Sequence, residues 1–348
     1  MTAPVIFSSS TALPPRRFSQ EEALALCGYT SPRIRQIFLN SDIDYRHFWL
    51  DPENFTPHET LDQLHTRYRE GAMHLGCQAA RDAMAAAGLA PGDVDAILVA
   101  SCTGYVCPDL ATLLAAHLGL PHGVQRGALL GHGCAGALPL LQRASDFALA
   151  HPGKRALAIA VEICSACYFM DASLETMIGN AICADGAAAV VVSTQAPRAT
   201  GPRPRIVGFQ SVLDPAHADK VGFQYVDGRL RIVLAAEIRD LAGPIIERCL
   251  RELFAAHGLS RKSIRHWVLH PGGRKVLDRA AEHLGLGEED LRHARHVLRN
   301  CGNMSSPTAL FVLDEVTRSA APRVGDYGVL LALGPGFAAE AALLRWED

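Results

Sequence analysis

The chain has 348 residues, of which 49% are hydrophobic and 20% charged, and its formal net charge is −3 at pH 7. This composition supplies a large apolar core and excludes an intrinsically disordered chain. The length exceeds that of one minimal domain, so it predicts two core-forming halves or one large α/β unit. Because the net charge is small and Lys and Arg form no run, the composition argues against a nucleic-acid-binding protein.

Three features predict a cytoplasmic protein. Polar residues interrupt the apolar stretches before these reach the length of a membrane-spanning helix. Residues 1–10 lack the charged segment and the apolar core of a secretory signal. The ten cysteines are scattered and often lie within apolar runs, which is typical of reduced, buried thiols rather than of a disulfide framework. We therefore expect a reducing compartment and no membrane association.

Short β-like segments alternate with Ala-rich helical segments along the chain, and this alternation predicts the α/β class. The predicted helices cover residues 68–88 and 244–257. The segment 195–205 is rich in Pro, Arg and Gly, so it predicts a boundary between an N-terminal half, 1–197, and a C-terminal half, 198–348. The predicted strands cover residues 96–101, 156–161, 187–193, 267–270, 329–333 and 342–346.

The two halves share a pattern. Ser101 and His270 each end a predicted strand, Cys134 and Asn303 each precede a predicted helix, and both pairs are 169 residues apart. The predicted strand at 187–193 is matched, at a shorter offset, with the glycine-marked strand within 326–334. This repetition predicts a duplicated α/β unit whose pseudo-twofold axis brings equivalent strand ends into one central site.

Cys134 lies in the segment LLGHGCAGAL, between glycines and directly before an Ala/Leu-rich helix. Glycine permits a sharp turn, and a thiol at a helix N-terminus is favoured as thiolate by the helix dipole and the free N–H groups. The pattern indicates a nucleophile. Taken alone, it is more typical of a small buried cysteine in a Gly-rich packing contact.

His270 ends an apolar segment and precedes Pro271-Gly272-Gly273, which predicts an imidazole facing a cleft at a strand end. Asn303, within NCGNMSSP, precedes a predicted helix. Each residue alone also suits a structural role, as a core histidine or as an asparagine turn or helix cap. Cys134, His270 and Asn303 together, each at a glycine-marked element end, indicate a catalytic set.

Four motifs resemble those of the type III polyketide synthases, the chalcone-synthase-like branch of the thiolase superfamily. The resemblance runs from about residue 4 to residue 346. It implies a thiolase-like αβαβα five-layered fold built from two duplicated halves. It also implies a homodimeric acyltransferase that uses malonyl-CoA and acyl-CoA as substrates, with no metal and no redox cofactor. The motifs are Gly133-Cys134-Ala135-Gly136, His270-Pro271-Gly272-Gly273, Gly302-Asn303-Met304-Ser305-Ser306 and Gly334-Pro335-Gly336.

The resemblance also implies a role for each residue of the set. Cys134 accepts the acyl chain and His270 holds it as a thiolate. His270 and Asn303 hydrogen-bond the thioester carbonyl of malonyl-CoA and stabilise the enolate that decarboxylation leaves. The carbanion then attacks the acyl thioester. Repeated cycles give a polyketide that cyclises to a small resorcinol-type aromatic or pyrone.

The resemblance places nine further residues on the substrate cavity. Two of them, Ile206 and Ile232, fall where the family has gatekeeping phenylalanines, which predicts an aliphatic entrance. Cys107 falls on the segment 104–108 that reaches the partner subunit across the dimer interface. The full set is Cys102, Cys107, Cys164, Cys167, Ile206, Ile232, Gly334, Pro335 and Gly336.

Three of these cysteines, Cys102, Cys164 and Cys167, fall where plant members often carry threonine. The Cys164-x-x-Cys167 spacing is also found in redox and zinc pairs. No second pair of matching spacing occurs in the sequence, which favours cavity-lining thiols over a metal site.

CoA phosphates require cations, and the family places them in the N-terminal helical region. Arg33 and Arg35 lie there, although Gln36 and Asn40 occupy two of the positions that are usually basic. The alternative for these arginines is a solvated helix face.

Within the family, the segments 38–44, 164–167, 266–270 and 325–330 most resemble the bacterial 3,5-dihydroxyphenylacetyl-CoA synthase group, which implies malonyl-CoA as both starter and extender. Two alternatives stay open. A ketoacyl-carrier-protein synthase III usually continues its histidine with Gln-Ala-Asn, whereas this chain has Pro-Gly-Gly. A non-catalytic thiolase-fold subunit that binds CoA esters would not need the intact Cys-His-Asn set.

Overall fold

A computed structural model describes residues 3–56, 58–171, 173–195 and 201–348. The predicted boundary between residues 197 and 198 lies outside these ranges. The strands are Val5–Ala12 (β1), Arg17–Ser19 (β2), Tyr45–His47 (β3), Ala96–Ala100 (β4), Gln125–Leu129 (β5), Ala156–Ile163 (β6), Asp185–Ser193 (β7), Arg203–Leu213 (β8), Val221–Val226 (β9), Arg229–Leu234 (β10), Ile264–Leu269 (β11), Tyr327–Gly334 (β12) and Ala338–Glu347 (β13). The helices are Gln20–Leu26 (α1), Pro32–Leu39 (α2), Leu61–Ala86 (α3), Leu110–Leu118 (α4), Ala137–Ala150 (α5), Leu174–Ile182 (α6), Ile238–Ala256 (α7), Arg274–Leu284 (α8), Glu288–Cys301 (α9) and Pro307–Ser319 (α10).

Two predicted helices begin earlier than expected. Helix α3 begins at Leu61 rather than at residue 68, because Thr60 and Gln63 form a capping box that satisfies its first free N–H groups. Helix α7 begins at Ile238, and Pro244, expected as its first residue, lies inside it. Among the described residues, no helix is long and apolar enough to cross a membrane.

The main sheet has nine strands in the order β11-β12-β13-β8-β1-β7-β6-β4-β5. In the N-terminal half, β4 pairs in parallel with β6, and β6, β7 and β1 follow in antiparallel order. In the C-terminal half, β11 pairs in parallel with β12, and β12, β13 and β8 follow in antiparallel order. The two halves meet where Val5 of β1 pairs with Arg205 of β8. This repeated pairing order confirms the predicted duplication.

The pairing order corrects one detail of the duplication. By position in the sheet, β12 corresponds to β6 and β7 corresponds to β13. The expected match of residues 187–193 with 326–334 was therefore wrong. Each half ends with two consecutive apolar strands, β6 and β7 or β12 and β13. The glycines beside these strands did not show which strand of one half corresponds to which strand of the other.

The helices form three layers around the two half-sheets. Helix α3 packs on β1, β6 and β7, and α7 packs on β8 and β13 with α8 beside it. Helices α5 and α10 contact strands of both half-sheets. Helix α10 is buried on nearly all sides over residues 307–314, as a helix between two sheets must be. The layers therefore follow the αβαβα order, with the helix starts near Cys134 and Asn303 in the central layer.

Candidate active site

Cys134 lies in the single 3-10 turn Gly133–Ala135, between β5 and α5. Gly133 has a φ of 48°, and a Cβ atom there would lie 2.6 Å from the ring carbons of Pro335. A Cβ on Gly334 would lie 2.6 Å from the Cβ of Ala135. The two glycines therefore let the β12–β13 turn pack directly against the turn that carries the thiol. Gly334 and Pro335 contact the turn that carries Cys134, and neither they nor Gly336 line the cavity described below.

Asn303 is held by backbone bonds between the two halves. Its N–H donates to Ile182 O at 2.8 Å, and its carbonyl accepts from Ala184 N at 2.9 Å. Its amide Nδ2 donates to Gly272 O at 3.2 Å, and both terminal atoms of the amide lie 3.9 Å from Cys134 Sγ. The structure therefore brings the predicted nucleophile and the predicted amide donor together.

His270 follows β11 and lines the same cavity as Cys134 and Asn303. Within the described part of the chain, neither ring nitrogen has a hydrogen-bond partner. Burial lowers the pKa of His270 to about 4 and raises the pKa of Cys134 to about 12. For the thiol this is opposite to the predicted direction, because desolvation of the sulfur outweighs the hydrogen bonds from Ser305 and Asn303.

A buried carboxylate lies beside Cys102. Glu162, in β6, is fully buried and accepts hydrogen bonds from the Cys102 and Thr103 backbone N–H groups, the Thr103 hydroxyl and the Ser306 hydroxyl. Cys102 Sγ donates to it at 3.3 Å and lies 3.7 Å from Ser305 Oγ. Burial raises the pKa of Glu162. This carboxylate, which sequence reasoning missed, ties the end of β4 to the start of α10.

Cys164 and Cys167 are both buried, and Cys167 Sγ donates to Thr103 O at 3.1 Å. A hydrogen bond with Cys183 and burial raise the pKa of the Cys164 thiol. Cys183 forms an isolated bridge with Asn303, so this thiol, which sequence reasoning missed, lies beside the site.

The cavity that contains the Cys-His-Asn set has a volume of about 510 Å³. Its walls come from α2, α6, α7, α8 and β12, with Leu269 at the end of β11, and they do not include the predicted residues Cys102, Cys164, Cys167 or Ile232. Ile206 lies in the hydrophobic core, where β8 pairs with β13, and does not line this cavity. Ile232 packs instead against Gly179 of α6, where a Cβ would lie 2.4 Å from its Cγ2.

Four cations line the mouth of this cavity: Arg33, Arg239 and Lys275 are exposed, and Arg274 is half-buried with its Nε 3.9 Å from Asp42 Oδ1. Arg33 is one of the two that sequence reasoning selected. The other, Arg35, instead pairs with Glu21 at 2.7 Å on the surface and does not line the cavity. The missed cations Arg274 and Lys275 directly follow the His-Pro-Gly-Gly motif, and this position was the available signal.

Arg46, in β3, is fully buried beneath the Asn303 segment. Its Nη1 donates to Asn180 O, Cys183 O and the Tyr168 hydroxyl, and its Cγ fills the space that a side chain at residue 302 would need. Arg46 thereby fixes the end of α6, which in turn holds the Asn303 backbone. No motif in the sequence pointed to this role.

Cys107 is exposed, on the loop between β4 and α4. It does not line the cavity within this chain.

Comparison with protein families decides the identity. The chalcone and stilbene synthase N-terminal domain matches residues 14–196, and the C-terminal domain of the same family matches residues 210–346. The chain belongs to this family, that of the type III polyketide synthases. It is therefore a malonyl-CoA-dependent acyltransferase, and the resemblance seen in the sequence is confirmed.

Two curated relatives show the degree of similarity within the polyketide synthase family. A 3,5-dihydroxyphenylacetyl-CoA synthase from Streptomyces toyocaensis is 33% identical over 351 residues, covering 99% of this chain and 90% of the relative. A 1,3,6,8-tetrahydroxynaphthalene synthase from Streptomyces peucetius subsp. caesius is 33% identical over 344 residues, covering 97% of this chain and 91% of the relative.

Solved structures of polyketide synthases share the whole fold. PKS-I from the brown alga Ectocarpus siliculosus superposes with a TM-score of 0.92 at 29% identity, covering 99% of this chain and 98% of the other. A 1,3,6,8-tetrahydroxynaphthalene synthase from Streptomyces coelicolor gives a TM-score of 0.92 at 26% identity, with 99% of both chains covered. These matches confirm the predicted thiolase-like architecture.

Proposed function

We propose that Cys134 carries the growing acyl chain and that His270 and Asn303 bind the reacting thioester carbonyl. The observation that carries this proposal is the convergence of the three residues, from separate elements of both halves, on one cavity, with the Asn303 amide 3.9 Å from Cys134 Sγ. Hydrogen-bond donors held in place at a developing oxyanion supply much of the rate enhancement in acyl transfer.

Proton transfer from Cys134 to His270 activates the nucleophile in this proposal. Burial disfavours either charge alone, since it raises the pKa of the thiol and lowers that of the imidazole. Transfer between the two leaves the pair net neutral, so burial opposes the pair less than it opposes either ion. The position of Cys134 just before α5 adds free N–H groups that favour the thiolate.

Malonyl-CoA would then bind with its thioester carbonyl at His270 and Asn303. Loss of carbon dioxide leaves an electron pair that the two donors stabilise as an enolate. The enolate carbon attacks the acyl carbonyl on Cys134, the C–S bond breaks, and the sulfur leaves as thiolate. Repetition and cyclisation would give a small resorcinol-type aromatic or a pyrone, with neither a metal nor a redox cofactor.

The phosphates of CoA would contact Arg33, Arg239, Arg274 and Lys275. These four cations line the cavity, whereas Arg35 does not; of the four, Arg239 also pairs with Asp240 and Arg274 with Asp42. Arginine and lysine bind phosphate oxygens through charge-assisted hydrogen bonds. Two cations that follow His270 in the sequence would thus replace those lost at Gln36 and Asn40.

A homodimer is part of the proposal. Strand β5 forms one edge of the sheet, and its backbone edge has no partner strand within the described part of the chain. Nearby, Tyr105 is 63% exposed and Leu130 is 54% exposed. Exposed edges and apolar residues of this kind are typical of interfaces, which in obligate dimers exceed about 2,000 Å². Sedimentation that shows an active monomer would contradict this part of the proposal.

A cytoplasmic location also belongs to the proposal. All ten cysteines are free thiols, which suits a reducing compartment.

Replacement of the nucleophile tests the central proposal. In Cys134→Ala, product formation from malonyl-CoA should be lost, because no acyl carrier remains, while slow decarboxylation by His270 and Asn303 should persist. Intact-mass spectrometry should show acylation of the wild-type chain and none of the variant. Cys77→Ala, at a buried cysteine in α3 away from the cavity, is the matched control. Polyketide formation by Cys134→Ala would refute the assignment.

A further inference from the structure

Arg231 of β10 joins the β9–β10 hairpin to the start of α6. We propose that Arg231 is a positioning residue, which keeps two walls of the substrate cavity at a fixed separation and thereby limits the length of the polyketide. This inference rests on the proposed function, since it presupposes repeated condensation in this cavity. Neither Arg231 nor its partner Asp171 lines the cavity, so the effect acts through the walls.

One end of the hairpin faces the substrate cavity. Val221 and Leu234 form the last pair of its ladder and both line the cavity, as does Ala235, which directly follows β10. Helix α6 also contributes to the lining, through Leu174 and Ile178. The hairpin and α6 therefore bound the same space, and a change in their separation changes its volume.

The hairpin depends on its surroundings for its position. Strands β9 and β10 form a two-stranded sheet of their own, separate from the nine-stranded sheet. A two-stranded hairpin on its own is marginally stable in water. Helix α6 is a principal packing neighbour of β10. The contacts between β10 and α6 therefore decide where the cavity-lining end of the hairpin lies.

The contacts of Arg231 with Asp171 and Ser173 form what we call the clamp. Arg231 Nε donates to Asp171 Oδ2 at 2.7 Å, and its Nη2 donates to the hydroxyl of Ser173, the N-cap residue of α6. The two charged side chains are only 17% and 27% exposed, so solvent screens this ion pair less than a surface pair. Burial alone would raise the pKa of Asp171, but hydrogen bonds from Ser173 and Arg231 outweigh it and lower the pKa. The carboxylate is therefore charged at neutral pH.

Close packing beside the clamp brings the hairpin against α6. A Cβ atom at Gly179 of α6 would lie 2.4 Å from Cγ2 of Ile232, the residue after Arg231. The absence of a side chain at Gly179 thus permits the close approach. Leu234 lies three residues after Arg231, about 10 Å along the strand. Both residues belong to one short ladder, so a shift of β10 at the clamp also moves the cavity-lining end.

The separation of the walls matters because the growing chain stays attached to Cys134. Each condensation lengthens this chain within a cavity of about 510 Å³. If the hairpin moves away from α6, the cavity accommodates more condensations and more conformations before cyclisation. Restricting the conformations of a bound intermediate is a recognised source of selectivity. A clamped hairpin should therefore give a narrower range of chain lengths than a released one.

The product pattern of Arg231→Gln tests the inference. Full-length wild type and variant are incubated with malonyl-CoA, and the products are identified by mass spectrometry. The fraction of products with more malonyl units than the main wild-type product should rise about fivefold or more. Amide hydrogen exchange over residues 221–234 should also be faster in the variant. An unchanged product pattern in the folded variant would overturn the inference.

Further variants separate the clamp from a general structural role. Asp171→Asn removes the charge with little change of shape and should give the same product shift. If the two residues act through one ion pair, the double variant should shift no further than either single variant. Arg231→Lys retains a cation that can reach Asp171, so its pattern should lie closer to wild type. Arg248→Gln, which removes an exposed ion pair with Glu252 on α7, is the matched control. Additive effects of Asp171→Asn and Arg231→Gln would overturn the clamp.

A steric variant keeps the test decisive if Arg231→Gln fails to fold. In Gly179→Ala the new methyl group forces Ile232 away from α6, so longer products should again increase. Gly92→Ala, at an exposed glycine with open space around it, is the control. Products of unchanged length from Gly179→Ala would overturn the inference and leave the proposed function standing. Absence of any polyketide from the wild-type enzyme would instead refute the proposed function itself.

Discussion

The surroundings of Cys134 differ between the two halves of the duplicated fold. Ala100 pairs with Ala160, and at the equivalent place in the other half Leu269 pairs with Leu331. Two residues after Ala160 lies the buried Glu162. Two residues after Leu331 lies Leu333, which lines the cavity.

Equivalent backbone positions thus carry a polar side chain in one half and an aliphatic side chain in the other. On the N-terminal side, Glu162 collects hydrogen bonds from Cys102, Thr103 and Ser306 in a buried polar cluster. On the C-terminal side, aliphatic residues surround open space beside His270. The comparison teaches that duplication determines where strand ends meet, and that the side chains there determine which side admits substrate.

The largest expected effect tests whether the C-terminal half activates the nucleophile. In His270→Gln, the proton acceptor is lost, while the burial that raises the pKa of Cys134 remains. A raised thiol pKa means that the thiolate fraction at pH 7 is small and grows only as the pH rises. Alkylation of Cys134 by iodoacetamide at pH 7 should slow on the order of a hundredfold or more, and its rate should still increase above pH 9.

If the alkylation rate of His270→Gln instead levels off near neutral pH, the thiolate of Cys134 does not depend on the imidazole. That result would contradict the proposed proton transfer from Cys134 to His270. Peptide mapping assigns the alkylated cysteine, since ten thiols are present. Thermal melting that matches wild type would exclude unfolding as the cause of any change.

A smaller effect is expected at the mouth of the cavity. The double variant Arg274→Ala, Lys275→Ala removes two of the four cations that line it, so the KM for malonyl-CoA should rise about tenfold or more, with a smaller change in kcat. Arg35→Ala, which removes a surface ion pair, is the control and should change KM by less than about twofold. If KM rises more for Arg35→Ala than for the double variant, the main phosphate site is instead the N-terminal helical region, as the sequence analysis expected.

The Cys-His-Asn set could be predicted from the sequence because each member lies within a short, glycine-marked segment at an element end. Glycines in such segments mark close approaches, as the contact between Gly133 and Pro335 shows. The fold class followed in the same way from the alternation of strands and helices and from the repeated offset.

The cavity could not be predicted in the same way. Its walls include faces of the helices α2, α6, α7 and α8, and which of their apolar residues face open space depends on how the helices pack on the sheet. Ile246 and Leu277 look like ordinary core residues in the sequence. Ile206 was assigned to the cavity by alignment through a weakly matched stretch, whereas the pairing of β8 with β13 buries it. The position of Arg274 directly after the His-Pro-Gly-Gly motif was a usable signal for a cation at the cavity, but it was overlooked.

The smallest expected effect sharpens the contrast between the polar cluster around Glu162 and the aliphatic wall of the cavity. Cys102 does not line the cavity, and its thiol is one of several donors to Glu162. In Cys102→Ala, the Cys102 and Thr103 N–H groups and the Ser306 hydroxyl still bond the carboxylate, so the loss should cost only about 1 kcal/mol of unfolding free energy. Product formation from malonyl-CoA should change by less than about twofold. A loss of product as large as that of Cys134→Ala would show that the polar side also serves the reaction, and the division between the two regions would not hold.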